Sequence, residues 1–282
     1  MATLAVLGTG LLGSGMVENL LAKGHRVRIW NRSPDKLAPL LAKGAVAAAD
    51  PAAAARGAER VHLVLAEDAA VDAVVAALRP GLGDGVPLVD HSTNLPARVA
   101  ARFAELRAHG VRYLPAPVFM SPQNAREASG LMLLSGPQAD ADALTAALSA
   151  MTGKLWHIGE RPDLAALFKL AGNAVLVSLA GAMGDLLAMG RANSVSPEQL
   201  LSLFEVFKPG GAIPFIGQRV VKAGDGPPSF ELTMARKDVR LMQEAAGKAQ
   251  LVVLPALAAA MDRALARGLG HQDFAVFART DR

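Results

Sequence analysis

The sequence predicts an α/β half followed by an all-helical half. Two observations carry this. Short β-rich runs alternate with Ala- and Leu-rich helical windows over the first 160 residues, and strand signals stop after Gly159. Alternation of this kind implies a mostly parallel, doubly wound sheet. The expected boundary therefore falls near residue 160, giving a first domain over 1–160 and an all-helical domain over 161–282, joined by a long interdomain helix.

Strands are expected at 4–7, 26–30, 60–65, 86–90, 112–115, 131–135 and 155–158, where β-branched and aliphatic residues cluster. Helical windows lie at 12–23, 34–43, 68–78, 96–109 and 139–151, and beyond the boundary at 163–191, 197–207, 212–223, 231–247 and 250–268, with a short one from 271. Pro209-Gly210-Gly211 and the run Gly224 to Pro228 read as loops.

Composition narrows the function. The chain has 282 residues, 52% hydrophobic and 19% charged, so it is expected to fold around sizeable cores. It has no cysteine, which excludes disulfides, thiolate metal sites and cysteine nucleophiles and is compatible with the cytoplasm, the expected location. A formal charge of +4 without basic clusters, and 4% aromatic residues, fit small anionic ligands and no nucleic acid. The six histidines have no metal-ligand spacing, and no metal is expected. His91, at the end of the fourth strand, is a candidate to touch a ligand. The run from Leu170 to Gly184 has too few residues to span a bilayer and is expected to be a buried helix, with no membrane partner.

Gly8-Thr9-Gly10-Leu11-Leu12-Gly13 follows the first strand and opens the first helix. The first glycine permits a tight turn, the second lets a pyrophosphate approach the backbone, and the third lets helix pack on strand. The helix N-terminus then offers free N–H groups to phosphate. The second strand ends in Asn31-Arg32-Ser33, with Lys36 one turn on, where an acidic residue would hold a ribose 2′-hydroxyl. Arginine there attracts a 2′-phosphate. The expected cofactor is NADP, with NAD possible.

Lys169 is the single ionisable residue between Leu164 and Gly184. At helical period it shares a face with Ala165, Ala166, Gly172, Asn173 and Leu176. Small walls and one amide favour a lysine able to exchange its proton. The competing reading is a side chain that reaches solvent past alanines.

Taken in order, Gly8–Gly13, Asn31-Arg32-Ser33, Asp90-His91-Ser92-Thr93, Pro117-Val118, Lys169 with Asn173, Lys237-Asp238, and Gly268-Leu269-Gly270 with Asp273 resemble the β-hydroxyacid dehydrogenases. That family includes 3-hydroxyisobutyrate dehydrogenases, tartronate semialdehyde reductases and glyoxylate/succinic semialdehyde reductases. The resemblance runs over essentially the whole chain. It implies an N-terminal Rossmann domain for NAD(P), an all-helical substrate and dimerisation domain, and a homodimer or homotetramer. It implies that Lys169 is the general acid in carbonyl reduction and the base in alcohol oxidation, with Asn173 bonding the substrate or the lysine. Thr93 would lie beside the nicotinamide ribose or substrate, Lys237 near the nicotinamide, and Val64-Leu65-Ala66 along the cofactor. Thr93 also reads as a cap for the helix near Pro96, and Lys237 as a solvated helix residue.

Three features depart from the family. Its usual Pro-Val-Ser-Gly-Gly is replaced by Pro117-Val118-Phe119-Met120-Ser121-Pro122-Gln123, so Phe119 and Met120 are expected to line the substrate pocket or join the core, with Ser121 and Gln123 as donors. The first of two asparagines after the lysine is Gly172, and the glycine-rich lead-in becomes Gly159-Glu160-Arg161-Pro162-Asp163. The expected activity is hydride transfer between NADP and a small hydroxy acid or semialdehyde. The alternatives are an imine or other carbonyl reductase, and an NADP-binding protein without turnover.

Overall fold

The computed structural model describes residues 1–279. The first half runs β1 (Thr3–Leu7), α1 (Leu11–Ala22), β2 (Arg26–Trp30), α2 (Ala38–Leu41), β3 (Val46–Ala47), α3 (Pro51–Ala55), β4 (Arg60–Leu63), α4 (Asp68–Leu78), β5 (Leu88–Asp90), α5 (Pro96–Ala108), β6 (Tyr113–Pro115), β7 (Val118–Phe119), α6 (Pro122–Glu127), β8 (Leu131–Ser135), α7 (Gln138–Ser149) and β9 (Lys154–Gly159). Then follow α8 (Leu164–Ala192), α9 (Pro197–Leu201), α10 (Leu203–Val206), α11 (Ile213–Lys222), α12 (Leu232–Ala245), α13 (Leu254–Ala266) and a terminal 3₁₀ turn, Phe274–Ala278.

The main sheet has six parallel strands in the order β3-β2-β1-β4-β5-β6. Alternate residues of β1 point to opposite faces and enter different cores. Leu4 and Val6 join Met16, Leu20, Val27 and Ile29, whereas Ala5 and Leu7 join Val61, Leu63, Val71 and Leu88. The strand order reverses beside β1, and the chain turns that begin α1 and α4 leave the same strand ends, where open α/β sheets bind ligands.

Sequence alone suggested one continuous sheet. The structure divides it: β7 pairs antiparallel with β8, and β8 pairs parallel with β9, in a separate three-stranded sheet. Pro115 and Pro117 flank the break, and neither has an N–H to extend the ladder. The two-residue strands β3 and β7 and the short helices α3 and α6 carry too few residues to leave a periodic signal. The window 34–43 is a 3₁₀ turn, Pro34–Leu37, followed by α2, and 197–207 breaks at Ser202 into α9 and α10.

The chain divides into two compact units, Met1–Asn173 and Ala174–Arg282, with the division inside α8. The second unit has its own core around Leu232, Val239, Met261 and Val276. Asp185, buried on α8, accepts from the backbone N–H groups of Val252, Val253 and Leu254 at 2.5, 2.8 and 2.8 Å, so it caps α13 from another helix. The apolar run expected to fall short of a membrane span lies within a 29-residue helix. By length and composition that helix could cross a membrane, at a mean hydropathy of 1.7. Only 11% of its most apolar window is buried, which corrects the expectation of a buried helix.

Candidate functional site

The glycine turn is built by close approaches that no side chain allows. Gly8 has φ +99°, and a Cβ there would lie 2.2 Å from Val64 O; one on Gly13 would lie 2.0 Å from Gly8 O. A Cβ on Gly10 would meet nothing within 4 Å, so the middle of the turn is open to a ligand. Gly10 is the N-cap of α1 and makes no side-chain cap, and no acidic residue lies in the first turn. The N–H groups of Leu11 and Leu12 therefore face open space with the positive end of the helix dipole. The hydroxyl of Thr9 is buried without a hydrogen-bond partner. An open cradle, free amides and an orphaned hydroxyl together fit a dinucleotide pyrophosphate.

Other predicted residues gather around this turn. Asn31 Oδ1 accepts from Thr9 N at 3.2 Å, and its Nδ2 donates to Ser33 O at 3.0 Å. Asn31 therefore ties the ends of β1 and β2 together. Arg32, Ser33 and Lys36 are exposed beyond it, and neither cation has an ion-pair partner among the described residues. Val64 N donates to Leu7 O and Leu65 N to Ser92 Oγ, while Ala66 is exposed. Ser92, which the sequence did not single out, thus anchors the strand end. Thr93 is exposed and does not cap α5, whose N-cap is Leu95.

A second group forms around Lys169. Its amine lies 4.1 Å from the centroid of the Phe119 ring. It makes no ion pair or side-chain hydrogen bond among the described residues. The side chain is partly buried, and burial lowers its pKa from the ordinary lysine value. Ala165 and Ala166 are buried beneath it, as the helical period predicts, whereas Leu176 is exposed. Asn173, one turn on, is partly buried and also lacks a side-chain hydrogen bond among the described residues.

The structure revises several sequence expectations here. Ser121 and Gln123 are engaged within α6. Ser121 Oγ accepts from Asn124 N and donates to Asn124 Oδ1, and Gln123 bonds Glu127. Both expected donors are thus engaged on their own helix, Ser121 as its N-cap and Gln123 in an exposed pair one turn along. Met120 packs on the first core. Lys237 is exposed in the second unit, 3.0 Å from Asp238. His91 is buried rather than ligand-facing, 2.9 Å from His62 and 2.8 Å from Ala116 O.

That histidine pair belongs to a directed chain the sequence did not show. Arg60 Nε donates to His62 Nε2 at 2.8 Å, so His62 must carry its proton on Nδ1 and donate it to His91 Nε2. His91 Nδ1–H then donates to Ala116 O, and each ring is assigned one tautomer. Burial, followed by the charge of Arg60, holds His62 well below an ordinary imidazole, and burial brings His91 to about 4. Asp90 is likewise buried, accepting from Ser92 N, Asn94 Nδ2 and Tyr113 Oη. Its pKa is raised because burial outweighs those bonds. Among the described residues no group of three or more acidic, histidine or cysteine side chains could hold a metal.

The geometry defines a dinucleotide-binding α/β protein, and comparison with known proteins gives its family. Residues 3–159 match the NAD binding domain of 6-phosphogluconate dehydrogenase. The chain is 28% identical to the 3-sulfolactaldehyde reductase of Escherichia coli, over 97% of this chain and 94% of that one. It is 27% identical to glyoxylate/succinic semialdehyde reductase 1 of Arabidopsis thaliana, covering 95% and 94%. Imine reductase from Myxococcus stipitatus in complex with NADP⁺ superposes with a TM-score of 0.87, at 22% identity over 98% of each chain, a likeness of fold. The chain belongs to the 6-phosphogluconate dehydrogenase NAD-binding family, within the β-hydroxyacid dehydrogenases. It is an NAD(P)-dependent oxidoreductase.

Proposed function

We propose that the protein is an NADP-preferring oxidoreductase that transfers hydride between nicotinamide and a small hydroxy acid or semialdehyde, with Lys169 as general acid in reduction and general base in oxidation. The observation that carries this is a partly buried amine that has no side-chain partner among the described residues but an aromatic ring. Gly8, Gly10, Gly13, Thr9 and the first amides of α1 would hold the pyrophosphate, with Arg32 and Lys36 at the 2′-phosphate. When bound, the reduced nicotinamide supplies the hydride that becomes the new C–H bond. Lys169 gives one proton to the carbonyl oxygen as its π bond opens, and the neutral amine then regains a proton from water. Asn173 orients that oxygen. A charged donor in a partly dry site stabilises the developing alkoxide, an effect of about 10²–10⁴-fold in rate. The lowered pKa makes the reverse step, where the lysine accepts the proton, easier. Thr93, Val64, Leu65 and Ala66 are assigned to the cofactor and Lys237 to its nicotinamide end on the family resemblance.

The relatives named 3-sulfolactaldehyde reductase and glyoxylate/succinic semialdehyde reductase support this reading, since their similarity runs over nearly the whole chain. Phe119 in place of a small residue, with the imine reductase fold likeness, favours a second reading: reduction of an imine or an uncharged carbonyl. The test is carbonyl reduction by Lys169→Ala on a panel of semialdehydes, keto acids and a cyclic imine. A loss of at least about 100-fold is expected. Activity within threefold of the parent refutes Lys169 as the acid.

Residues 1–160 would bind the nucleotide, and 161–282 would complete the substrate side and self-associate. The exposed apolar residues of α8, with Val177 at 73% and Leu176 at 58%, need cover in water. A homodimer or homotetramer supplies it, and a monomer by light scattering at micromolar concentration would refute that.

A further inference from the structure

We propose that Phe119 and Gly172 are an interlocked pair that sets substrate selection, admitting carbonyls that carry an uncharged hydrocarbon group and rejecting those with a carboxylate beside the reacting carbon. The proposal rests on Lys169 being the proton donor, as above, and on the second reading of the substrate, an uncharged carbonyl in place of a 2-hydroxy acid. The phenyl ring lies 4.1 Å from the lysine amine. A Cβ on residue 172 would stand 2.4 Å from Phe119 Cζ and 2.7 Å from Cε1. The ring therefore fills the volume a side chain at 172 would take, one turn along the helix from the lysine. Glycine at 172 and phenylalanine at 119 require each other: the ring has no room without the glycine, and without the ring that glycine leaves a void.

The ring is a fixed wall and not a mobile flap. Val118 and Phe119 pair with Met132 and Leu131. Gly130, at φ +85°, lets the Phe119 carbonyl approach so closely that a Cβ there would be 2.7 Å from it. Just beyond, the Ser121–Asn124 capping box starts α6. That helix is pressed on α1, where a Cβ on Gly15 would meet Pro122 O at 2.7 Å and where Asn19 Nδ2 donates to Arg126 O at 2.7 Å. The wall is thus braced on the helix that starts at the glycine turn.

Chemistry follows from what this wall offers. A carbonyl oxygen bonded to the lysine amine places one of its substituents against the phenyl face. Aromatic faces are electronegative and supply no donor. A carboxylate there would lose water and receive no hydrogen bond from the ring, with the lysine already committed to the carbonyl oxygen, while a hydrocarbon gains contact. Met120 packs against the core, Ser121 caps α6 and Gln123 pairs with Glu127, so none of these three side chains is left uncommitted as a replacement donor. Contacts of this size discriminate by about 10–200-fold.

The test compares kcat/KM for butanal and 2-oxobutanoate with NADPH in the parent, Phe119→Leu, Phe119→Ser and Phe119→Ser/Gly172→Asn. Where turnover is slow, binding of butyramide and 2-hydroxybutyrate to the NADP-loaded protein reads the same preference. We expect the parent to favour the uncharged member by at least about tenfold. Phe119→Leu should keep most of that preference, Phe119→Ser should reduce it about tenfold through the KM of the acid, and the double variant should reduce it further. NADPH fluorescence titration confirms that each variant is folded. A preference that stays within twofold across all four proteins, or a parent that favours the acid, overturns the proposal. Lys169→Ala separates the two readings. If it spares both substrates, the proton-donor reading fails, whatever the Phe119 series shows; if it abolishes both, the Phe119 series decides the wall alone.

Discussion

Replacing His91 by leucine should flatten the acid side of the stability curve. In the native protein His91 and His62 are neutral and buried, each committed as donor and acceptor in the chain from Arg60 to Ala116 O. An ordinary imidazole titrates at 6.5 and His91 at about 4, with burial as the leading cause. The unfolded chain therefore takes up a proton between these values that the folded chain refuses. The sign follows: His91's contribution is complete above 6.5 and is lost as pH falls towards 4. At about 1.4 kcal/mol per pK unit, the loss is about 3 kcal/mol. His62 acts in the same direction. Near pH 5 the urea-unfolding free energy of the parent should fall more steeply than that of His91→Leu, by about 1.4 kcal/mol per pH unit. At neutral pH the variant should be about 1–3 kcal/mol less stable, because Ala116 O and His62 Nδ1–H lose their partner. Glu18, Asp72, Asp185 and Asp273, all held below ordinary carboxylate values, also lose stability in acid, and Asp90 acts oppositely. These are common to both proteins, so the difference reports His91 together with its effect on His62, whose pKa it helps to lower. Parallel curves between pH 4.5 and 7 would refute the buried neutral relay.

Two further outcomes test other parts of the molecule. Arg32→Glu should weaken NADPH about 10–100-fold and leave NADH nearly unchanged, since it reverses the charge proposed to meet a 2′-phosphate; equal effects in fluorescence titrations would remove Arg32 from the site. Asp185→Ala should cost about 2–3 kcal/mol in urea unfolding, because three backbone N–H groups at the start of α13 lose one carboxylate. Burial raises the Asp185 pKa, but those donors more than offset it and hold it below the ordinary value. Its contribution is therefore present above an ordinary aspartate pKa and fades in acid, and a variant as stable as the parent would show the cap to be inert.

Much of the protein was legible in its chain because the signals are local. Hydrophobic period separates strands from helices, and glycine spacing marks a turn that only glycines can make, as the 2.2 and 2.0 Å approaches at Gly8 and Gly13 bear out. Lys169 was visible as the single ionisable residue between Leu164 and Gly184. What remained hidden depends on residues far apart in sequence. Phe119 could be read as core or as pocket, and Gly172 as a mere substitution, until the fold placed the ring beside the amine and in the space above the glycine. His91 stood at a strand end where a ligand was expected, but pairing across β4, β5 and β6 turned it inward onto His62. Ser121 was a plausible donor until α6 claimed it as a cap. Local pattern is set by sterics and periodicity within a few residues, which the sequence carries by itself. Which polar groups remain free to meet a ligand is decided by the partners that tertiary packing brings to each of them.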